Sequence, residues 1–325
     1  MSCSAAGAAK LRVDIYYKAM WFTIALVGYF LLAIVFVLDK FILTESISRP
    51  IVYTFYSTIF MLAALFAWPL GVLPLLVVDW IWAVVSGVSF GLALWSMYVA
   101  VQKSEASHVD PFIGAVITLS TYAAASLFLR ESLTELQLTG VAVLSAASLL
   151  LSWEKRRGSS GVHSGYLWAL LAGGLFAVSH VSAKYLYDLY PFLTGFVWTR
   201  AATGLVGLGL LFSPSVRQTF GKKTTRDREK PAVLKGRGHY RAALVAGDKA
   251  LGVIAVVLIQ YATAAGSVTL VNALGGVQYA FLFGIILTLT KFRPGWFFEY
   301  VTRRELALQT AAIFLIIIGS AFFVL

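Results

Sequence analysis

Arg200 stands about ten residues into an apolar stretch, at the end of the run PFLTGFVWTR. At that depth a guanidinium needs a buried partner or a wet cavity, and its planar fork suits carboxylate or phosphate. Two readings stay open for it: a charged contact lining a central cavity, or a structural ion pair with Asp188 or a helix-end carbonyl. His180, Lys184 and Asp188 follow a spacing of i, i+4, i+8, which sets them on one helical face, an arrangement able to hold a proton or an anionic group. The bland alternative is that the lysines snorkel to the interface and pair with neighbouring aspartates, as Lys40 would with Asp39.

Asn272 and Gln278, with Gly275 and Gly276 between them, form a polar run that either bonds a ligand or braces a neighbouring helix. Lys103, Glu105, His108 and Asp110 crowd a short link just before Pro111. If the link dips into the protein, a helix start there offers N–H groups to an anion; at the surface these are solvated charges. Trp95, Tyr98, Tyr261 and Tyr279 either line a pocket or anchor helix ends in the interface. No nucleophile elbow, phosphate loop or clustered metal-ligand set occurs, so neither an enzyme nor a cofactor is expected. Cys3 is the single cysteine, which excludes disulfides, zinc sites and thiol catalysis within the chain.

The elements that must position these residues follow from composition. With 59% hydrophobic and 13% charged residues, the 325-residue chain has too few charges to dress a soluble surface. Apolar blocks of roughly 18 to 25 residues have the length of membrane-crossing helices. The sequence predicts helices near 19–38, 50–68, 80–101, 109–129 and 135–153, and again near 165–186, 190–213, 249–266, 268–290 and 305–325. Pro50 and Pro111 mark expected first turns, and Pro69, Pro214 and Pro294 expected helix ends.

The stretch from 104 to 140 is faintly echoed by 266 to 311, so that Val109-Asp110 falls on Val271-Asn272 and Leu136-Gln137 on Leu308-Gln309. Five helices per half make such a duplication inverted, the symmetry by which a central site opens alternately to each side. The expected fold is therefore all-α, with about ten transmembrane helices as two inverted five-helix repeats. Residues 1–18 form an N-terminal tail, 19–153 the first repeat, 154–164 a linker and 165–325 the second repeat, which carries the basic loop 214–249. The formal charge of +11 sits mainly in loops, pointing to orientation and anionic lipid rather than nucleic acid. Twenty cations fall on the face opposite the termini and four on the terminal face, which predicts that both termini lie outside.

The segments VLDKFIL (37–43), KSEASHVDPFIGAV (103–116), SLFLRESLTELQLTG (126–140), SAKYLY (182–187), PFLTGFVWTR (191–200) and GSVTLVNALGGVQYAFLF (266–283) together resemble the EamA-type members of the drug/metabolite transporter superfamily. The resemblance implies ten helices in two inverted repeats, secondary transport, frequently export, of small metabolites, and termini in the cytoplasm, against the charge count. It emphasises Lys40, Glu105, Pro111 and Glu131 in the first half and Lys184, Arg200, Asn272 and Gln278 in the second. Glu131 and Gly140 are expected to serve the turn and close packing between the fourth and fifth helices.

The expectation is thus a multi-pass transporter of the cytoplasmic (inner) membrane, seated in the lipid bilayer and moving a small-molecule solute across it, driven by a proton or another ion. Lys184, Arg200, Lys40 and His180 would attract the solute, Asn272 and Gln278 orient it, and Glu105, Asp110, Pro111 and Glu131 serve structure or gating. The alternative is a membrane scaffold or sensor that engages a partner through the basic loop.

Overall fold

The computed structural model describes residues 20–38, 49–103, 106–152, 164–221, 238–292 and 303–323. The N-terminal tail with Cys3, Lys40, Glu105, the linker run 154–161 and Pro294 lie outside the described residues, as do the side chains of His108 and Glu305. Among the described residues every regular element is helical. This follows from the apolar blocks, since helices satisfy their backbone groups internally where no water is at hand.

In chain order the elements are α1 (Met20–Leu38), α2 (Pro50–Ile59) running on into a 3₁₀ stretch (Phe60–Leu70), α3 (Asp79–Lys103), α4 (Ala106–Phe128), α5 (Glu135–Leu151), α6 (Ser164–Leu189), α7 (Phe192–Leu210), α8 (Pro214–Gly221), α9 (Gly238–Ala265), α10 (Val268–Ala273), α11 (Gly275–Phe292) and α12 (Arg303–Ala321). Six of the described helical stretches are long and apolar enough to cross a membrane: α1, α2 with its 3₁₀ continuation, α3, α4 from Val109, α6, and α10 with α11. Shorter apolar helices run over Glu135–Leu151, Ala250–Ala265 and Ala307–Ala321. Phe66 and Val77, each 87% exposed, and Leu127, Phe212 and Leu70 form part of an apolar exterior that suits lipid rather than water. The chain is an all-helical, multi-pass membrane protein.

α3 lies along both α6 and α7, α4 lies between α5 and α6, and α5 pairs with α12. Glycines set the tightest of these crossings, because helices in lipid associate by close packing rather than by escape from water. A Cβ on Gly87 of α3 would fall 2.5 Å from Thr203 N and 2.5 Å from the Ala202 Cβ of α7. Gly204 and Gly207 of α7 in turn admit Leu62 and Ile59, where α2 passes into its 3₁₀ stretch. Gly28 of α1 meets Ile259 of α9 in the same manner.

Several expectations are corrected. Pro111 is not at the start of α4 but inside it, since the helix begins at Ala106. Its ring removes one N–H from the ladder early in the helix, where the loss is a single bond. Pro69 likewise sits inside the 3₁₀ stretch, and Pro214 opens α8 rather than following a helix into loop. The region 212–249 is therefore helical at both ends, with α8 and the first turns of α9, and Arg49 at the head of α2 bonds Gln218 of α8 at 3.2 Å. Gly140 faces Gly319 and Phe323, so its close approach joins α5 to α12 and not to α4.

Gly87→Ala should destabilise the solubilised protein by about 1–3 kcal/mol, because the added methyl meets backbone that cannot yield. Gly174→Ala, with no neighbour within 4 Å of its added Cβ, should leave the thermal midpoint unchanged or raise it slightly. Thermal unfolding of both variants in the same detergent checks the pair.

Candidate functional site

α7 starts after Pro191, whose fixed φ suits a helix entry, and carries Arg200 into the interior, where it is 3% exposed. Its guanidinium carbon lies 4.6 Å from the centre of the Phe90 ring of α3 and 5.7 Å from that of Phe196. Nη1 reaches Met61 Sδ at 4.0 Å, a weak acceptor at the start of the 3₁₀ stretch. Nε is buried with no hydrogen-bond partner, the Tyr187 side chain hydrogen-bonds the guanidinium, and among the described residues no carboxylate pairs with the group. Burying a charge costs several kcal/mol unless it is paired and bonded, so this cation is held in place without the usual compensation. The ion pair with Asp188 does not form; Asp188 bonds Lys184 instead, at 2.9 Å.

His180 of α6 lies beside Arg200 and stacks on Phe176, with ring centres 6.0 Å apart and planes at 28°. Its Nδ1 is buried without a partner. The Asn272 side chain of α10 approaches the imidazole and also donates to Thr121 Oγ1 of α4 at 3.1 Å. Tyr187 stands next to the guanidinium and gives its hydroxyl hydrogen to Gln260 Oε1 of α9 at 2.9 Å. Residues from both halves of the chain thus meet at Arg200.

Tyr187, Gln260, Phe90 and Met61 are absent from the sequence-based expectation, and Tyr187 has a readable signal. At about 100° per residue, position i+7 returns to within about 20° of the start, while i+8 has drifted by about 80°. Accordingly Tyr187 is buried on the same side as the half-buried His180, whereas Asp188, expected on that face, is 49% exposed.

The other expected residues lie apart from this cluster. Lys184 bonds Asp188 and, at 3.1 Å, the Ala264 carbonyl in the last turn of α9, where a cation complements the helix dipole. Asp110 is half-buried on α4 near Tyr279, with no hydrogen bond or ion pair among the described residues. Pro111 is buried in the same turn. Glu131 follows Arg130, which turns the chain in the left-handed region at φ 53°, and its carboxylate accepts the Thr269 hydroxyl, tying the end of α4 to α10. Gln278 is buried on α11 and makes no side-chain hydrogen bond among the described residues. Tyr98 bonds Ser57, Trp95 packs edge-on to Trp168, and Tyr261 edge-on to Phe192.

A second polar contact, not anticipated, closes one end of the bundle. Tyr190, between α6 and α7, donates to Asp79 Oδ2 at 2.6 Å and accepts from Leu76 N at 3.0 Å. Trp198 Nε1 donates to Leu73 O at 2.8 Å beside it. The Asp79 hydrogen bond raises the Tyr190 phenol above the ordinary tyrosine range.

No protein-family model and no curated protein matches this chain. Solved structures do match, among them one described as "Crystal structure of protein", with a TM-score of 0.59 over 94% of this chain and 95% of that one, at 17% identity. At such identity the likeness concerns the fold, and it extends over nearly the whole length of both chains.

Tyr190→Phe should lower the thermal midpoint at neutral pH by removing the donor to Asp79. A raised folded-state pKa contributes stability that is complete below the unfolded value and lost as pH climbs through the folded one. The gap between wild type and Tyr190→Phe should therefore narrow above about pH 10, which paired unfolding curves across that range will read.

Proposed function

We propose that the protein is a secondary transporter that moves a small metabolite, in the export direction, across the cytoplasmic (inner) membrane by alternating access. In this reading ten spans form two inverted five-helix repeats of the EamA kind, with α2 and its 3₁₀ stretch as one span, α10 with α11 as another, and α8 outside the count. Matching each span with the one five places on turns the α3–α6 pairing into the α1–α9 pairing. Support comes from Ser86 donating to Ser179 O in the first, and from Gly28 against Ile259 with Gly266 against Trp21 in the second. Likeness in fold to a solved structure over 94% of the chain supports a single body of this size and layout.

The observation that carries the reading is Arg200, a buried cation without a counter-ion, placed where α3, α6, α7, α10 and the 3₁₀ stretch converge. A membrane protein that needed only to pack would avoid it, since ionisable groups at that depth are costly and mark solute or ion pathways. Asp110, a carboxylate within a span and without a partner among the described residues, is the residue type that carries a proton in ion-coupled carriers.

In vesicles reconstituted with the purified chain, a screen of solutes with and without a pH gradient should find gradient-dependent flux. Arg200→Ala should reduce that flux at least about a hundredfold while the variant remains folded. Undiminished flux in the folded variant would remove Arg200 from the pathway. Deleting residues 222–237 should leave flux intact, whereas a scaffold acting through the basic loop would lose partner binding.

A further inference from the structure

The pattern of satisfied and unsatisfied nitrogens on Arg200 says which chemistry its ligand must have. Nε and Nη2 point along the same edge of the guanidinium and form the side-on fork by which arginine takes a carboxylate with two parallel hydrogen bonds. On that edge Nε is buried without a partner, while Nη1 rests on Met61 Sδ and the Tyr187 side chain hydrogen-bonds the guanidinium. Phe90, its ring centre 4.6 Å from the guanidinium carbon, takes up one side of the group, and the unpartnered Nε marks the edge left to a ligand.

Charge count narrows the class. Lys184, the next cation along α6, is neutralised by Asp188 and bonded to the Ala264 carbonyl. Among the described residues, Arg200 is then the one permanently charged group at this level without a counter-ion. A single negative charge brings the site to neutrality. A phosphate monoester, carrying about −1.5 to −2 at pH 7, leaves excess negative charge among apolar groups, and a cation meets a bare guanidinium. The surroundings are Phe90, Phe176, Phe196 and Met61, which favour a flat or apolar body over a sugar. His180 Nδ1, also buried and unpartnered, and Tyr187 supply further polar contacts.

We infer that the ligand of this site is a small organic monocarboxylate with a flat apolar body, its carboxylate forked onto Nε and Nη2 of Arg200. The inference names the solute class for the transport reading above and rests on that reading for its physiological sense, though the binding site itself stands on the geometry.

Phenylacetate serves as the probe, with phenylacetamide as neutral isostere, phenethylamine as cation, phenyl phosphate as dianion and phenylalanine as zwitterion. Binding to the purified full chain is measured by calorimetry, and flux of labelled phenylacetate in reconstituted vesicles. Wild type should bind phenylacetate at least about tenfold more tightly than any of the other four, as expected for a charge-assisted fork lost or opposed. Arg200→Gln should weaken phenylacetate by about thirtyfold or more, with Arg200→Lys, which keeps the charge but not the fork, in between. Phenylacetamide, phenethylamine, phenylalanine or phenyl phosphate binding as tightly as phenylacetate would overturn the assignment, as would a folded Arg200→Gln that binds phenylacetate like wild type, or no phenylacetate binding at all. The ligand series in wild type decides the matter even if the glutamine variant fails to fold. Binding without flux keeps the site and sinks the transporter, while flux indifferent to Arg200→Gln keeps the transporter and sinks the site.

Discussion

The approach of Gly87 to the backbone of Ala202 and Thr203 holds α3 against α7, and the arrangement around Arg200 depends on it. Phe90 lies one turn beyond Gly87 on the same face of α3, and Arg200 lies just before Ala202 on α7. A side chain at position 87 would hold the two helices apart and lift the Phe90 ring off the guanidinium, which it now meets at 4.6 Å. A cation facing an aromatic ring in a desolvated setting gains about 2 kcal/mol, a partial offset to a charge without a counter-ion. The glycine therefore acts on electrostatics through distance.

The polar content of the remaining interior shows by contrast how unusual that charge is. Buried hydroxyls mostly return a hydrogen bond to their own helix: Thr54 to Pro50 O, Thr58 to Thr54 O, Thr199 to Gly195 O, Thr203 to Thr199 O and Thr263 to Ile259 O. Such residues are satisfied within one turn and need nothing from a neighbour. Others join helices, as Tyr29 does by donating to Val271 O at 2.9 Å. Against that economy Arg200 Nε and the neighbouring His180 Nδ1 stand without partners, with Ser145 Oγ and Gln309 Oε1 as separate buried exceptions.

Helices were legible because apolar blocks of membrane-crossing length leave the backbone few alternatives, and Arg200 was legible because depth alone makes a guanidinium conspicuous. The boundaries were less so. Prolines punctuate helices in sequence, but a proline early in a helix costs little, and Pro111 sits inside α4. The Lys184 contact with the carbonyl of Ala264, eighty residues away in sequence, is not legible from helix spacing, which shows only the Asp188 neighbour. Phe90 and Met61 could not have been chosen from sequence, since many aromatic and thioether side chains occupy equivalent positions and only the α3–α7 and α2–α7 crossings select these two. The Asp79–Tyr190 contact was likewise invisible, because it depends on how the α2–α3 connection folds back over the α6–α7 turn.

The eleven-residue 3₁₀ stretch after α2 has a consequence of scale. At the steeper rise of that helix these residues extend about 22 Å, where an α-helix of the same length extends about 16 Å. The element thereby reaches one turn further than its residue count suggests. That extra reach lets one uninterrupted rod touch Gln218 through Arg49 at its head and place Trp68 against Trp198 near its foot. A rod so stretched is also slimmer, which brings its axis within range of the glycines of α7 and makes thickness, as much as length, part of how this span fits its slot.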